Sequence, residues 1–146
     1  MKETDRSRLR PGKASGISLG AVIGLIALLF FPTLAAHRLA QRTYPPLILG
    51  YFLILWLVTF FLYRHDKKRA GAGGWRTPEN TLHLCELLGG WPAAFLAQRY
   101  FRHKNAKTRY QVYFWLIVLA HELLSFDYLC AWHFSRQLLR TLHLIA

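Results

Sequence analysis

The chain has 146 residues, of which 53% are hydrophobic, and its 19 lysines and arginines outnumber its 7 acidic residues to give a net charge of +12. A soluble nucleic-acid-binding protein of this charge would be rich in polar residues, whereas the positive mean hydropathy indicates apolar blocks between the basic residues. The composition also excludes a disordered chain, collagen and a coiled coil. We therefore predict an all-α integral membrane protein that makes no direct contact with nucleic acid.

A basic tail, residues 1–16, precedes the first apolar run and is predicted to be disordered and cytoplasmic. The run itself, residues 17–36, is uncharged and long enough to cross a membrane as a helix. This pattern also resembles a signal peptide with a cleavage site near Thr33-Leu34-Ala35. Because the run is longer than the apolar core of about 7–15 residues in signal peptides, we expect a retained first span.

Two further spans are predicted, at about 45–63 and 111–127, within a single membrane domain that covers residues 17–146. Pro45 and Pro46 stand at the start of the second span, where the missing N–H groups cost a helix little. An amphipathic helix at about 130–145 follows the last span, with apolar and basic residues on opposite faces. It is predicted to lie in the membrane interface, the alternative being a helix packed on protein.

The apolar stretch at about 78–98 contains Gly89-Gly90-Trp91-Pro92 near its middle, which would break or bend a helix. We predict two short helices joined at these glycines, the first starting with Thr77 as N-cap and Pro78 as first helical residue. If the stretch enters the membrane and returns, 15 basic residues are cytoplasmic and 4 are outside. If it crosses, the split is 12 to 7, so the positive-inside rule favours a re-entrant hairpin and a cytoplasmic N-terminus.

Three patterns offer weaker hypotheses. Gly16, Gly20 and Gly24 recur every fourth residue and form a packing seam for another span or for a second copy of the chain, or are ordinary glycines of a span. Glu79, His83 and Glu86 share one helical face and suit a metal or a proton, or form a plain polar stripe in which His83 bonds a neighbour.

The third pattern is His121-Glu122, which opens an HExxS sequence. Ser125 stands where the second histidine of a zinc protease would be, so zinc hydrolysis by this motif is not expected. Glu122 lies near the middle of a span and is either functional or neutralised there. We expect no metal and no cofactor, and Cys85 and Cys130 are predicted not to pair, because the hairpin and the last span place them far apart.

A linked series of short motifs from Tyr51 to about Trp115 resembles a bacterial integral membrane family, domain of unknown function 1294. The motifs, in order, are Asp66-Lys67 with Ala70, Trp75-Arg76, Pro78-Glu79, Leu87-Leu88-Gly89-Gly90, and Arg102-His103-Lys104 with Lys107. The Leu82-His83 and Gly89-Gly90-Trp91-Pro92 motifs are similar to a subgroup that often carries an N-terminal cold-shock domain, in whose place we expect a basic tail and an extra span here. Tyr110 replaces the usual phenylalanine and Ala93 a glycine. The resemblance implies a membrane protein and no known reaction.

The function that follows is a small inner-membrane protein of unassigned role, whose basic cytoplasmic pocket binds anionic lipid headgroups or an acidic partner. The expected ligand-binding residues are Arg76, Arg102, Lys104 and Lys107. The alternative is a membrane enzyme or carrier that acts on a phosphorylated lipid, with acid–base or metal chemistry by Asp66, Glu79 and His103. In either case we expect the two carboxylates to hold the arginines by ion pairs.

Overall fold

The computed structural model describes residues 17–71 and 77–142, and all regular structure in these two stretches is helical. The elements are α1 (Leu19–Leu28), α2 (Phe30–Ala40), α3 (Pro45–Gly71), α4 (Glu79–Cys85), a π-helical turn (Glu86–Gly90), α5 (Trp91–Phe101), α6 (Thr108–Leu129) and α7 (His133–Thr141). The all-α prediction is confirmed. The predicted disordered tail, Gly16, Arg76 and residues 143–146 lie outside the described residues.

Within residues 17–71 and 77–142, two helices are long and apolar enough to cross a membrane, α3 over Pro45–Ala70 and α6 over Thr108–Leu129. A third candidate is the pair α1 and α2, if the two helices form one bent span. Two or three such helices suggest a membrane protein.

The first predicted span is a bent pair of helices rather than one straight helix. The axes of α1 and α2 differ by 44°, and the break lies at Leu29. Pro32 explains the bend, because its ring has no N–H to offer the carbonyl of Leu28 and collides with that carbonyl in a straight helix. The helical path also extends to Ala40, beyond the predicted end at residue 36.

Helix α3 begins at Pro45, as predicted, and runs through the charged stretch after residue 63 to Gly71. The chain then folds back against α3. The backbone N–H of Thr77 donates to Asp66 Oδ1 at 3.1 Å, whereas Trp56 Nε1 donates to the carbonyl of Gly89 at 3.1 Å. Trp56 and Asp66 are ten residues apart on α3, which is about 15 Å along a helix. The segment from Thr77 to Gly89 therefore runs along α3 for roughly that distance. It returns to the starting level at His103, whose Nε2 lies 2.8 Å from Asp66 Oδ2.

The turn of this hairpin lies at the predicted glycines. Gly89 has φ of +107°, a conformation that favours glycine, and its position breaks the regular helical path. The break frees backbone carbonyls, and α3 supplies donors for two of them. Tyr51 Oη donates to the carbonyl of Leu88 at 2.8 Å, and Trp56 bonds Gly89. A broken helix in an apolar setting needs such partners, because water cannot satisfy the carbonyls there.

The start of the hairpin differs from the prediction. Helix α4 begins at Glu79 with Pro78 as its N-cap residue, and no side chain caps it. Thr77 is not the N-cap. Its N–H is bound to Asp66, so this residue connects α4 to α3.

The opposite end of the bundle is formed by α2, the end of α6 and α7. Arg38 Nη1 donates to the carbonyl of Leu129 at 2.8 Å and thereby caps α6. Asp127 accepts hydrogen bonds from the N–H groups of Phe134 and Ser135 and from the Ser135 hydroxyl, so it caps α7. No residue of α7 is buried, and its apolar side chains Phe134 and Leu138 are exposed.

The core lies between α3, α5 and α6. Its largest buried side chains are Trp91, Tyr63, Tyr110, Phe114 and Leu82. Among the residues that the structure describes, nothing packs closely on Gly20 or Gly24 of the predicted glycine seam, since a Cβ added at either would meet no atom within 4 Å. We call the end of the bundle that holds Asp66 the Asp66 end and the other the Leu129 end.

Candidate functional site

A cavity of about 1030 Å³ opens at the Asp66 end of the bundle. Three segments form it: the last turns of α3, the start of α4, and the loop between α5 and α6. The loop contributes most of the positive charge. The lining residues are Asp66, Thr77, Pro78, Glu79, Arg102, His103, Lys104, Asn105, Ala106 and Lys107.

Asp66 is the buried centre of this cavity wall. Its side chain is 2% exposed, and its Oδ2 lies 2.8 Å from His103 Nε2 and 3.3 Å from Lys104 Nζ. Its other oxygen accepts the N–H of Thr77 at 3.1 Å. One carboxylate thus joins α3 to both ends of the hairpin, and a buried acid needs partners of this kind.

Glu79 forms the outer acidic group of the cavity. Its Oε1 lies 2.8 Å from Lys107 Nζ and 3.4 Å from Lys104 Nζ. The hydrogen bond from Lys107 lowers the pKa of Glu79 below its ordinary value, with a further contribution from the charge of Lys104. Glu79 is therefore ionised at neutral pH, and Lys104 lies between the two carboxylates.

Arg102 is a cation of the cavity whose charge is not neutralised by any acidic side chain of the described residues. It makes no ion pair with any of the described residues, and it is exposed. It ends α5 in the left-handed conformation, with φ of +48°, and Lys104 follows with φ of +64°. Neither residue is a glycine or an asparagine, the residue types that enter this region most easily.

The structure brings six of the seven predicted site residues around one cavity: Asp66, Glu79, Arg102, His103, Lys104 and Lys107. Arg76, the seventh, lies outside the described residues. The pairing within the cluster differs from the expectation, because the carboxylates hold His103, Lys104 and Lys107 rather than Arg102. The left-handed turn at Arg102 explains this, since it reverses the chain and directs the next residues toward the acids. Ligand binding by these residues stays a prediction.

A second polar cluster lies inside the hairpin, and the sequence analysis recognised only part of it. Glu86 is fully buried, and its Oε1 lies within hydrogen-bond distance of the hydroxyls of Tyr63 and Tyr110. Its Oε2 lies 2.7 Å from His83 Nδ1. Gln98 completes the cluster by donating to Tyr63 Oη at 3.0 Å. The available signal was a set of polar side chains within apolar segments, since such groups in spans are paired with one another.

The stripe of Glu79, His83 and Glu86 therefore divides between two places. Glu79 faces the cavity, whereas His83 bonds Glu86 in the interior. Within residues 17–71 and 77–142, no group of three histidine, cysteine, aspartate or glutamate side chains has the geometry to hold a metal ion. The three residues of the stripe therefore do not form one cluster.

Two other candidates have separate surroundings. His121 Nδ1 bonds the carbonyl of Ile117 at 2.8 Å, so it is not the partner of Glu122. Glu122 Oε1 is buried without a hydrogen-bond partner among the described residues. Cys85 and Cys130 are both free thiols, on α4 and after α6.

Residues 57–110 match the family model described as "Protein of unknown function (DUF1294)". The predicted family is confirmed over this segment. The DUF1294 match runs from α3 to Tyr110, so it contains the whole hairpin, Asp66, Glu79 and the loop with Arg102. The DUF1294 description states no activity, which agrees with an unassigned role. No curated protein and no solved structure compared with the chain matches it.

Proposed function

We propose that the protein is a three-span protein of the bacterial inner membrane with its N-terminus and its Asp66 end in the cytoplasm. In this arrangement α1 and α2 form one bent span, α3 and α6 form the others, and residues 78–98 re-enter the membrane. The contacts along α3 support the re-entry: both ends of the hairpin lie at Asp66, and its turn at Gly89 lies at Trp56. The basic residues of the Asp66 end agree with the positive-inside rule.

We further propose that the cavity binds the phosphate of an anionic lipid headgroup. The observation that carries this proposal is Arg102, which pairs with no acid of residues 17–71 and 77–142 and lines a cavity that also holds Lys104 and Lys107. A guanidinium suits phosphate, because its fork of N–H donors binds two phosphate oxygens at once. Asp66 and Glu79 hold Lys104 and Lys107 in place by ion pairs, and they leave the charge of Arg102 available for a ligand.

The backbone of the loop gives a second, independent support. Residues other than glycine in the left-handed region carry strain of order 1 kcal/mol or more, and such residues concentrate at functional sites. Arg102 and Lys104 both adopt this conformation. We infer that their side chains are retained there for contact with a ligand.

Native mass spectrometry of the full chain in detergent tests this proposal, with phosphatidic acid as the anionic probe and phosphatidylcholine as the neutral headgroup control. We expect phosphatidic acid adducts on the parent protein and at least tenfold weaker binding in Arg102→Gln, since a charged hydrogen bond contributes about 1.5–3 kcal/mol. Arg109→Gln is the matched control, because Arg109 is exposed outside the cavity lining. Equal loss in both variants would show non-specific charge attraction. Competition by inorganic phosphate would indicate a free phosphate ligand instead of a lipid.

The second candidate function is acid–base chemistry on a phosphorylated lipid. The observation that favours it is the contact of His103 Nε2 with Asp66 Oδ2, which orients an imidazole at the cavity as catalytic histidines are oriented. Lipid extracts from cells that overproduce the parent or His103→Gln test it. A phosphorylated lipid whose level changes only with the parent supports an enzyme. Unchanged lipids, with phosphatidic acid binding retained in His103→Gln, support binding alone.

A further inference from the structure

In the buried cluster around Glu86, the donor and the acceptor of successive hydrogen bonds can be assigned, starting from a backbone carbonyl. Gln111 Nε2 donates to the carbonyl of Lys104 at 3.2 Å and to Gln98 Oε1 at 2.6 Å. Since a carbonyl only accepts, the Gln111 amide is fixed, and it fixes the Gln98 amide in turn. Gln98 must then donate to Tyr63, at 3.0 Å. The Tyr63 hydroxyl accepts this hydrogen bond, and it can donate its single hydrogen to one other oxygen.

Three oxygens form a triangle next to this point. Tyr63 Oη, Tyr110 Oη and Glu86 Oε1 are mutually in contact, with 2.5 Å between the two hydroxyls and 2.7 Å between Tyr110 and Glu86. Three contacts between oxygens need three hydrogens, and the two hydroxyls supply two of them. An ionised Glu86 would leave one contact between lone pairs. A hydrogen on the carboxyl completes the ring, because each oxygen then donates once.

The groups that surround Glu86 also favour a protonated carboxyl group. Glu86 and Tyr110 are 0% and 1% exposed. The titratable groups that face the carboxyl are Tyr63 on α3, His83 and Cys85 on α4, and Tyr110 on α6. Lys104 has its Nζ 4.6 Å from the centre of the Tyr110 ring, but this ammonium group is already paired with Asp66. An uncompensated carboxylate in such a place is costly.

From these observations, we propose that the cluster of Glu86, Tyr63, Tyr110 and His83 is a buried proton-binding site that holds one proton on the carboxyl group. Proton uptake converts the Glu86 carboxylate to a carboxylic acid, with water at the Asp66 end as the source of the proton. His83 is the group of the cluster through which the proton enters, because 17% of its side chain is exposed and its Nδ1 reaches Glu86 at 2.7 Å. This site does not depend on the lipid ligand proposed above.

The site also has a physical connection to the cavity. The carbonyl of Lys104 accepts the hydrogen bond from Gln111 with which the series of amides begins. The ammonium group of Lys104 faces the Tyr110 ring, and the residue also lines the cavity. A change at the cavity that moves Lys104 therefore alters the hydrogen bonds of the proton site.

Infrared spectroscopy of the full chain in detergent at neutral pH tests the proposal. We expect the carbonyl stretching band of a protonated carboxylic acid, which shifts to lower frequency in D₂O and is lost in Glu86→Gln. Glu122→Gln is the matched control, because Glu122 is a second glutamate with a buried oxygen, and the variant should retain the Glu86 band. Tyr110→Phe removes one hydroxyl of the triangle and should shift the band of the remaining acid.

Three results would overturn the proposal: a parent protein without such a band, a band that survives in Glu86→Gln, or a band that disappears in Glu122→Gln alone. If Glu86→Gln fails to fold, the parent, Glu122→Gln and Tyr110→Phe spectra decide. An ionised Glu86 paired with a protonated His83 would give the first of these results. The spectra are recorded without added lipid, so a failure to bind phosphatidic acid would not remove the expected band, and the two proposals fail separately.

Discussion

His103 Nε2 lies 2.8 Å from Asp66 Oδ2, although 37 residues separate the two along the chain. The intervening segment contains the whole hairpin. Asp66 also binds Thr77 at the other end of that segment, so one buried carboxylate closes the hairpin at its base. The stability of the hairpin and the shape of the cavity therefore depend on the same side chain.

Asp66→Asn should destabilise the protein strongly. The amide keeps the size of the side chain but removes the charge that faces His103 and Lys104. Breaking a buried ion pair by removing one partner costs about 3–5 kcal/mol, because the other charge is left without a partner. Unfolding by denaturant in detergent, followed by tryptophan fluorescence, measures the change.

Glu79→Gln is the control for this effect. Glu79 is an acid of the same cavity, but its side chain is 36% exposed, so the loss of its pairs should cost less than about 1 kcal/mol. Equal destabilisation by the two substitutions would mean that Asp66 has no special role in closing the hairpin.

Gly90→Ala should destabilise the hairpin by a packing collision. A Cβ at Gly90 would overlap Thr59 Oγ1 and lie 2.6 Å from the carbonyl oxygen of Cys85. Backbone cannot move away easily, and overpacking of this kind costs about 1–3 kcal/mol. Gly24→Ala is the matched control on α1, where nothing lies within 4 Å of the new Cβ, and it should be neutral or slightly stabilising. Similar thermal midpoints for the two variants would argue against close contact between the hairpin and α3.

The contribution of Glu79 to stability should disappear in acid. Its pKa is lowered, chiefly by the hydrogen bond from Lys107, so the folded state favours the ionised form. The stabilisation is complete above the ordinary pKa of glutamate and is lost as pH falls through the lowered pKa. Comparing the unfolding midpoints of the parent and Glu79→Gln across a pH series measures this. The parent's advantage should shrink toward acid, and an advantage that grows there would contradict the ion pair.

Arg102→Gly should separate binding from stability. Glycine adopts the left-handed conformation of residue 102 without strain, so the variant should be at least as stable as the parent. It nevertheless lacks the guanidinium, and its binding of phosphatidic acid should be lost. Native mass spectrometry and thermal unfolding of one preparation measure both effects, and undiminished binding would exclude Arg102 as a ligand contact.

Arg102→Lys and Arg76→Lys test the geometry of binding rather than its charge. Both keep the positive charge, so insertion and orientation in the membrane should be unchanged. Both lose the planar fork, and binding of phosphatidic acid should weaken by about 1.5–3 kcal/mol for each. Full binding in both variants would mean that these charges serve topology alone.

Much of the architecture could be predicted from the lengths of the apolar runs and from a few special residues. Pro45 marks the start of α3, and the glycines at 89 and 90 mark the turn of the hairpin. The bend between α1 and α2 was missed although its cause, Pro32, is visible in the sequence.

The composition of the cavity could also be predicted, since residues on both sides of a hairpin meet at its base. The pairing of the charges could not, because it depends on the left-handed turns at Arg102 and Lys104, which arginine and lysine rarely adopt. The cluster of Tyr63, Glu86 and Gln98 was missed for a related reason. Contacts between helices depend on their relative rotation, which the spacing of apolar residues in each helix does not determine.

Chemical labelling of single cysteines in intact cells tests the membrane arrangement most directly. In a background with Cys85→Ser and Cys130→Ser, one cysteine is placed at Gln41, Lys68 or Ala106, all of which are exposed. A reagent that does not cross the inner membrane should label position 41 in intact cells and should label positions 68 and 106 only after the membrane is opened. Labelling of position 106 together with position 41 would mean that residues 78–98 cross the membrane and would contradict a cytoplasmic cavity.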